Sequence, residues 1–190
     1  MCVCDICPEK INGNDLECSI EDASKVIQAT PGDLKAHNER VCAYFLRGSV
    51  HFDNSEYDLA ISDFSEAIRV NSVHKGAYLK RGIAYLKKGM ADPALADFSE
   101  LIQLAPDYAN TYFHRGIAHF LRGDFDNALV EYTKVIELAP DNIAAYKNRT
   151  CLCYFENQLD MAISDFESVM QIIPKDVIAK VELEIIRQVR

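Results

Sequence analysis

Long apolar runs are missing from this chain of 190 residues. No stretch of about 18 consecutive apolar residues occurs, so the sequence predicts no transmembrane helix. Basic residues are in the minority, with 20 Lys and Arg against 29 Asp and Glu and a net charge of -9. Sequence-independent nucleic-acid binding needs cations to neutralise phosphates, and a polybasic membrane patch needs them clustered. Neither is expected here. Residues Met1 to Lys10 lack a basic start and an apolar core, so no secretory signal is predicted. The cysteines number seven, an odd count that fits a disulfide framework poorly. A reducing compartment, the cytoplasm, is the expectation.

Catalytic signatures are missing as well. The sequence holds no HExxH, no GxSxG and no Gly-rich phosphate loop. His114 and His119 lie five apart, off the spacing that puts two ligands on one helical face. Cys151 and Cys153 sit about 200° apart on one helix and cannot easily share a ligand. The sequence therefore predicts a chain that is not an enzyme and has no cofactor. Cys2, Cys4, Cys7 and Cys18 form C-x-C-x-x-C with a fourth Cys eleven residues on. Four thiolates can hold zinc tetrahedrally, but this spacing matches no standard knuckle. Reduced, unliganded thiols are expected, with metal binding or acylation of Cys2 or Cys4 as alternatives.

What is present is a large apolar fraction, 49%, and a clear internal period. Arg47-Gly48, Arg81-Gly82 and Arg115-Gly116 recur every 34 residues, which divides the chain into blocks 41–74, 75–108, 109–142 and 143–176. Block position 4 is Tyr44, Tyr78, Tyr112 and Tyr146, and position 7 is Arg47, Arg81, Arg115 and Arg149. Position 8 is Gly48, Gly82, Gly116 and then Thr150; position 20 is Ala60, Ala94, Ala128 and Ala162. Position 24 is Phe64, Phe98, Tyr132 and Phe166, and position 32 is Ser72, Pro106, Pro140 and Pro174.

Each block reads as two antiparallel helices, because apolar residues recur at three- and four-residue spacing in both halves. Small residues at positions 8 and 20 let the two helices approach closely. The aromatics fill the space between neighbours, and Pro ends the second helix. One pair cannot bury both of its apolar faces, so the pairs must stack. The expected fold is an all-α, right-handed superhelical solenoid.

Asp58, Asp92, Asp126 and Asp160 at position 18 are expected to cap the second helix and to favour its dipole, not to bind calcium. Position 23, Asp63, Asp97, Glu131 and Asp165, is expected to pair with the position-7 arginines, for about 0–1 kcal/mol each if exposed. Thr150 predicts a slightly looser fourth pair. Residues 18–30 echo a second helix and read as a degenerate leading repeat. Leu34 to Arg40 lengthen the first helix of block one. Residues 177–190 are expected to form a capping helix through Val177, Ile178, Val181, Ile185, Ile186 and Val189. The first 17 residues form a separate Cys-rich segment.

Period, small residues, aromatics and terminal Pro together resemble the tetratricopeptide repeat family. Ser72, Thr150 and the absence of the family's position-4 Trp are local departures. The resemblance implies a protein-protein interaction adaptor whose first helices line a concave groove. Carried onto this chain, groove positions 5, 6, 9 and 12 include Phe45, Ser49, Phe52, Leu79, Lys80, Ile83, Leu86, Phe113, His114, Ile117, Phe120, Lys147, Asn148, Cys151 and Tyr154. Some family members clamp an acidic C-terminal carboxylate with Lys, Asn and Arg at fixed positions of three repeats. This chain offers Phe45, Ser49, Lys80, Asn110 and His114 there, or, one block on, Leu79, Ile83, His114, Ala144 and Asn148. Neither frame rebuilds the clamp, so an acidic chaperone tail is not the expected partner. The apolar stripe instead suits an amphipathic helix or extended apolar segment, with Lys80 and His114 as a weakly basic spot. The stripe can also be filled by the chain's own N-terminal segment or by packing between the helices. A monomer or weak homo-oligomer is expected, and self-assembly through the groove or the last helix is the alternative function.

Overall fold

The computed structural model describes residues 13–189 and is built of α-helices, with no strand among the described residues. The helices are α1 (Gly13–Ala29), α2 (Leu34–Asp53), α3 (Tyr57–Val70), α4 (Lys75–Lys87), α5 (Ala91–Leu104), α6 (Ala109–Leu121), α7 (Phe125–Leu138), α8 (Ile143–Phe155), α9 (Leu159–Ile172) and α10 (Val177–Val189). They fall into two compact units, one running to Leu104 and the other starting at Ala105. In the first unit, α1 packs on α2, α2 on α3, α3 on α4 and α4 on α5. In the second, α6 packs on α7, α7 on α8, α8 on α9 and α9 on α10.

Local chemistry sets the helix boundaries. Asp33 accepts the N–H of Lys35 and Ala36 at the start of α2, at 2.9 and 3.0 Å. His74 Nδ1 accepts the Ala77 N–H at 3.0 Å, and the Asn142 and Asp176 side chains accept from Ala145 and Ala179 at 3.1 and 3.0 Å. Each of these caps satisfies an orphan donor of the first turn. The turn inside each pair places one residue in the left-handed region: Ser55, Gly89, Gly123 and Asn157, with φ from 56° to 79°. The next N–H then reaches a carbonyl five residues back, as Asp124 does to His119 at 2.9 Å. Pro106, Pro140 and Pro174 each follow a helix end by two residues, because the residue before proline avoids helical backbone.

One expectation needs correcting here. Asp58, Asp92, Asp126 and Asp160 are the second residues of α3, α5, α7 and α9, inside the first turn, and are not their caps. The caps of α3, α7 and α9 are Glu56, Asp124 and Gln158, which make no side-chain cap bond. The aspartates can still favour the helix dipole, and Asp58 also pairs with Lys88.

The close approach inside each pair is tight. A methyl added to Gly48, Gly82 or Gly116 would lie 2.9, 2.6 or 2.7 Å from the ring of Phe64, Phe98 or Tyr132. Thr150 occupies that place in the fourth pair, with a buried hydroxyl that finds no partner among the described residues. The position-24 ring of that pair is slightly less enclosed: Phe166 is 6% exposed where Phe64 and Phe98 are 0% and Tyr132 is 2%.

The expected pairs of position 7 with position 23 form an arginine ladder, but their carboxylates are buried, so the small contribution of an exposed pair does not apply. Arg47 grips Asp63 at 2.9 and 2.7 Å, Arg81 grips Asp97 at 2.9 and 2.6 Å, and Arg149 grips Asp165 at 2.9 and 2.5 Å. Arg115 meets Glu131 at 2.8 Å. All four carboxylates are buried, Asp165 most completely, at 1% exposed. Each guanidinium also lies 5.7–6.0 Å from the centre of its position-4 tyrosine ring. Arg81 and Arg149 donate further to Ser65 and Thr133 on the preceding second helix, both at 2.9 Å. One arginine thus ties together its own pair and the pair before it.

The last helix also differs from expectation. Its buried residues are Ala179, Leu183 and Ile186, which join Tyr146, Cys153, Ile163, Phe166 and Val169 in one core. Val177, Ile178, Val181 and Ile185, expected to face inward, are exposed. The side chain of Val189 lies outside the described residues. The reason is phase. Asp176 caps α10 as His74 and Asn142 cap α4 and α8, so Ala179 falls where Ala77 and Ala145 fall, at the buried third position.

Candidate functional site

In the first unit, α2 carries Phe45, Ser49 and Phe52, and α4 carries Leu79, Lys80, Ile83 and Leu86, all half-buried. The two helices present these residues on one face because positions 5, 9 and 12 recur at helical spacing. Phe45 is a wedge as much as a surface residue. Its ring lies 5.8 Å from Phe64 and 4.9 Å from His74. Phe52 rests edge-on against Tyr57 at 5.6 Å, and Lys80 Nζ sits 5.5 Å over its face. The Ser49 hydroxyl donates to the Phe45 carbonyl at 2.8 Å, so part of its hydrogen-bonding capacity is used locally.

In the second unit, Phe113, His114, Ile117 and Phe120 lie on α6, and Lys147, Asn148, Cys151 and Tyr154 on α8. Phe113 wedges against Tyr132 at 6.0 Å. The other aromatics are more open: Phe120 is 42% and Tyr154 52% exposed. Lys147 is paired with Asp176 at 3.4 Å, and Asn148 bonds the Tyr132 hydroxyl. Cys151 is exposed, whereas Cys153 is buried, and burial pushes its thiol up to about 11. That thiol is protonated at neutral pH and a poor nucleophile.

Some surface residues escaped the sequence reading. Leu121 and Phe155 are 51% and 73% exposed at block position 13, one step past the row already carried over. Position 13 belongs to the family's groove set, and applying it would have found them. Which side of α10 stays exposed was missed because the helix was read as a cover or a self-assembly face without extending the 34-residue phase into it.

Of the N-terminal thiols, Cys2, Cys4 and Cys7 lie outside the described residues, and Cys18 is exposed on α1. Among the described residues, no group of three or more His, Cys, Asp and Glu is placed to hold a metal ion. No described helix is long and apolar enough to cross a membrane.

His74 joins the first unit's row to its backbone. Its Nδ1 can accept the Ala77 N–H only when the ring is neutral, and burial lowers its proton affinity from the usual 6.5. The unfolded chain therefore binds the proton more readily. Stability from this cap is present above about pH 6.5 and is lost as pH falls below it. The expected result is a lower urea midpoint at pH 5.5 than at pH 7.5, with a smaller difference in His74→Asn. Asn caps α8 in the same manner without titrating. The cap is worth about 1 kcal/mol. An equal pH response in both proteins would contradict this role.

Comparison with known proteins agrees with this architecture. Two tetratricopeptide repeat family profiles match the chain, one over residues 45–109 and one over 109–142. No curated protein sequence matches it. Among solved structures, a crystal structure of MamA is similar at a TM-score of 0.70 and 22% identity, covering 85% of this chain and 91% of that one. YrrB, described as a TPR protein with an unusual peptide-binding site, is similar at 0.69 and 19%, covering 90% and 84%. The first TPR of Spaghetti (RPAP3), bound to the HSP90 peptide SRMEEVD, is similar at 0.60 and 22%, covering 62% and 93%. Likeness at these identities shows a shared fold.

Proposed function

The chain belongs to the tetratricopeptide repeat family, and from that premise we propose that it is a non-enzymatic scaffold binding a helix or apolar peptide of another protein. The observation that carries this reading is the side chains left open at positions 5, 9 and 12 of the first helices. In the first unit they are Phe45, Phe52, Leu79, Ile83 and Leu86; in the second, Phe113, Ile117, Phe120 and Tyr154. Apolar side chains left partly open along one face are the kind of surface that marks an interaction site. The charged groups at positions 7 and 23 of every block are occupied in the arginine ladder, which leaves them to stability.

An acidic peptide such as the SRMEEVD bound by the RPAP3 domain is not the ligand this row suits. The clamp positions hold Phe45, Ser49, Lys80, Asn110 and His114, which supply little cationic charge. Cys18, Cys42, Cys151 and Cys153 form no disulfide among the described residues, and a reducing compartment, the cytoplasm, is part of this proposal.

The test uses a displayed library of helical peptides selected on the full chain. Ile83→Glu and Ile117→Glu, separately and together, put a charge into the row of each unit. Peptide affinity is expected to fall by at least about tenfold, or 1.4 kcal/mol, while helicity by circular dichroism stays unchanged. Undiminished affinity in a folded double variant would remove the reading.

A further inference from the structure

The exposed side of α10 has a chemical character of its own. Val177, Ile178, Val181 and Ile185 are 71%, 65%, 49% and 51% exposed. At about 100° per residue they fall within an arc of about 100°. Glu182 borders one edge of that arc, about 40° beyond Ile178, and Glu184 borders the other, about 20° beyond Val177. Neither glutamate makes an ion pair among the described residues, and both are exposed. The nearest cations on the helix lie further round: Lys180, and Arg187, which is held by Glu167 at 2.7 Å. The stripe is thus an apolar strip, closed at its C-terminal end by exposed Gln188, between two solvent-facing carboxylates.

That charge pattern selects among occupants. A second copy packing two-fold on this stripe would bring the same glutamates of both chains to one seam, where like charges repel. An anionic lipid surface would be repelled by the same carboxylates. A helix with apolar anchors flanked by Lys or Arg would satisfy both features at once. The repeat phase also puts Val181 and Ile185 at positions 5 and 9, two of the positions of the rows on the preceding first helices. We propose that α10 docks a basic amphipathic helix of another protein. Its apolar anchors would lie on Ile178, Val181 and Ile185, and its cations would face Glu182 and Glu184. This gives the partner a charge, and it rests on the proposed function for the use of first-helix faces.

The probe is a fluorescent synthetic helix of about five turns, Leu along one face and Lys on both flanks, beside its twin with Glu for Lys. Fluorescence anisotropy with the full chain should show the Lys form at least about tenfold tighter. Val181→Ser with Ile185→Ser keeps the net charge and touches only exposed residues, and should weaken the Lys form by about tenfold. Glu182→Lys with Glu184→Lys should reverse the preference between the two peptides. Unchanged binding in the serine variant would mean general attraction to an acidic protein, and would overturn the proposal. So would a concentration-dependent dimer in sedimentation that the serine variant abolishes, since the occupant would then be a second copy. Binding lost in Ile83→Glu with Ile117→Glu but kept in both α10 variants would also overturn it, leaving the earlier reading in place.

Discussion

Replacing Asp165 by alanine is expected to cost about 3–5 kcal/mol of folding stability, the largest effect of any single substitution in the ladder. Asp165 is 1% exposed and accepts two bonds from Arg149, at 2.9 and 2.5 Å. Without it, a guanidinium only 13% exposed at its side chain keeps its charge with no anion beside it. The hydroxyl of Thr133 and the ring of Tyr146 remain, but neither carries a compensating charge. Arg149 with Asp165 replaced by Met and Leu together should recover most of the loss, because a buried pair exchanged for apolar groups of similar size is often near neutral. The contrast lies on the same chain. Lys25 and Asp22 are 71% and 75% exposed, and Asp22→Ala should change stability by less than about 1 kcal/mol. Urea unfolding of the four proteins measures all of this. A cost below about 1 kcal/mol for Asp165→Ala would mean the pair is not the clamp its geometry suggests.

Truncation after Asp176 is expected to lower the thermal midpoint sharply and to raise dye binding to exposed apolar surface. Removing α10 takes Ala179, Leu183 and Ile186 from the core built on Phe166 and Val169. That opens one end of the stack, which a repeat protein must keep covered. A truncated chain that aggregates gives no clean energy, so Leu183→Ala is the companion. Leu183 is 4% exposed, and its loss should cost about 2–5 kcal/mol by scanning calorimetry or urea. Val181→Ser, on the open side, should cost far less. Equal effects at Leu183 and Val181 would contradict the assignment of which face covers the core.

Much of the fold was legible because its determinants are local and repeat. Gly48, Gly82 and Gly116 announced close approaches that Phe64, Phe98 and Tyr132 then fill. The pairing of Arg47 with Asp63 was legible from spacing alone. Its burial was not, because burial depends on Tyr44 and on the neighbouring pair covering the guanidinium. The position-18 aspartates were misread as caps because a capping residue and a first-turn residue differ by only two places, which sequence does not resolve. On α10, Val177, Ile178, Val181, Ile185 and Ile186 make a strong apolar pattern, yet Ala179 and Leu183 decide the buried face. Small residues at the third position pack closest, so apolar bulk alone pointed to the wrong side. The rows on the first helices were legible as positions. How far each side chain opens was not, since Phe45 and Phe113 turn partly inward onto Phe64 and Tyr132.

The scaffold reading is tested most directly by photocrosslinking a library-selected peptide to the chain. A benzophenone amino acid is placed in turn at Ile83 and Phe120, on the first helices, and at Val130. Val130 lines a cleft of about 290 Å³ between α7 and α9 with Leu129, Thr133 and Met161, which is the competing site. The account predicts adducts from Ile83 or Phe120 and none from Val130. Adducts from Val130 alone would place the partner on the second helices and contradict it.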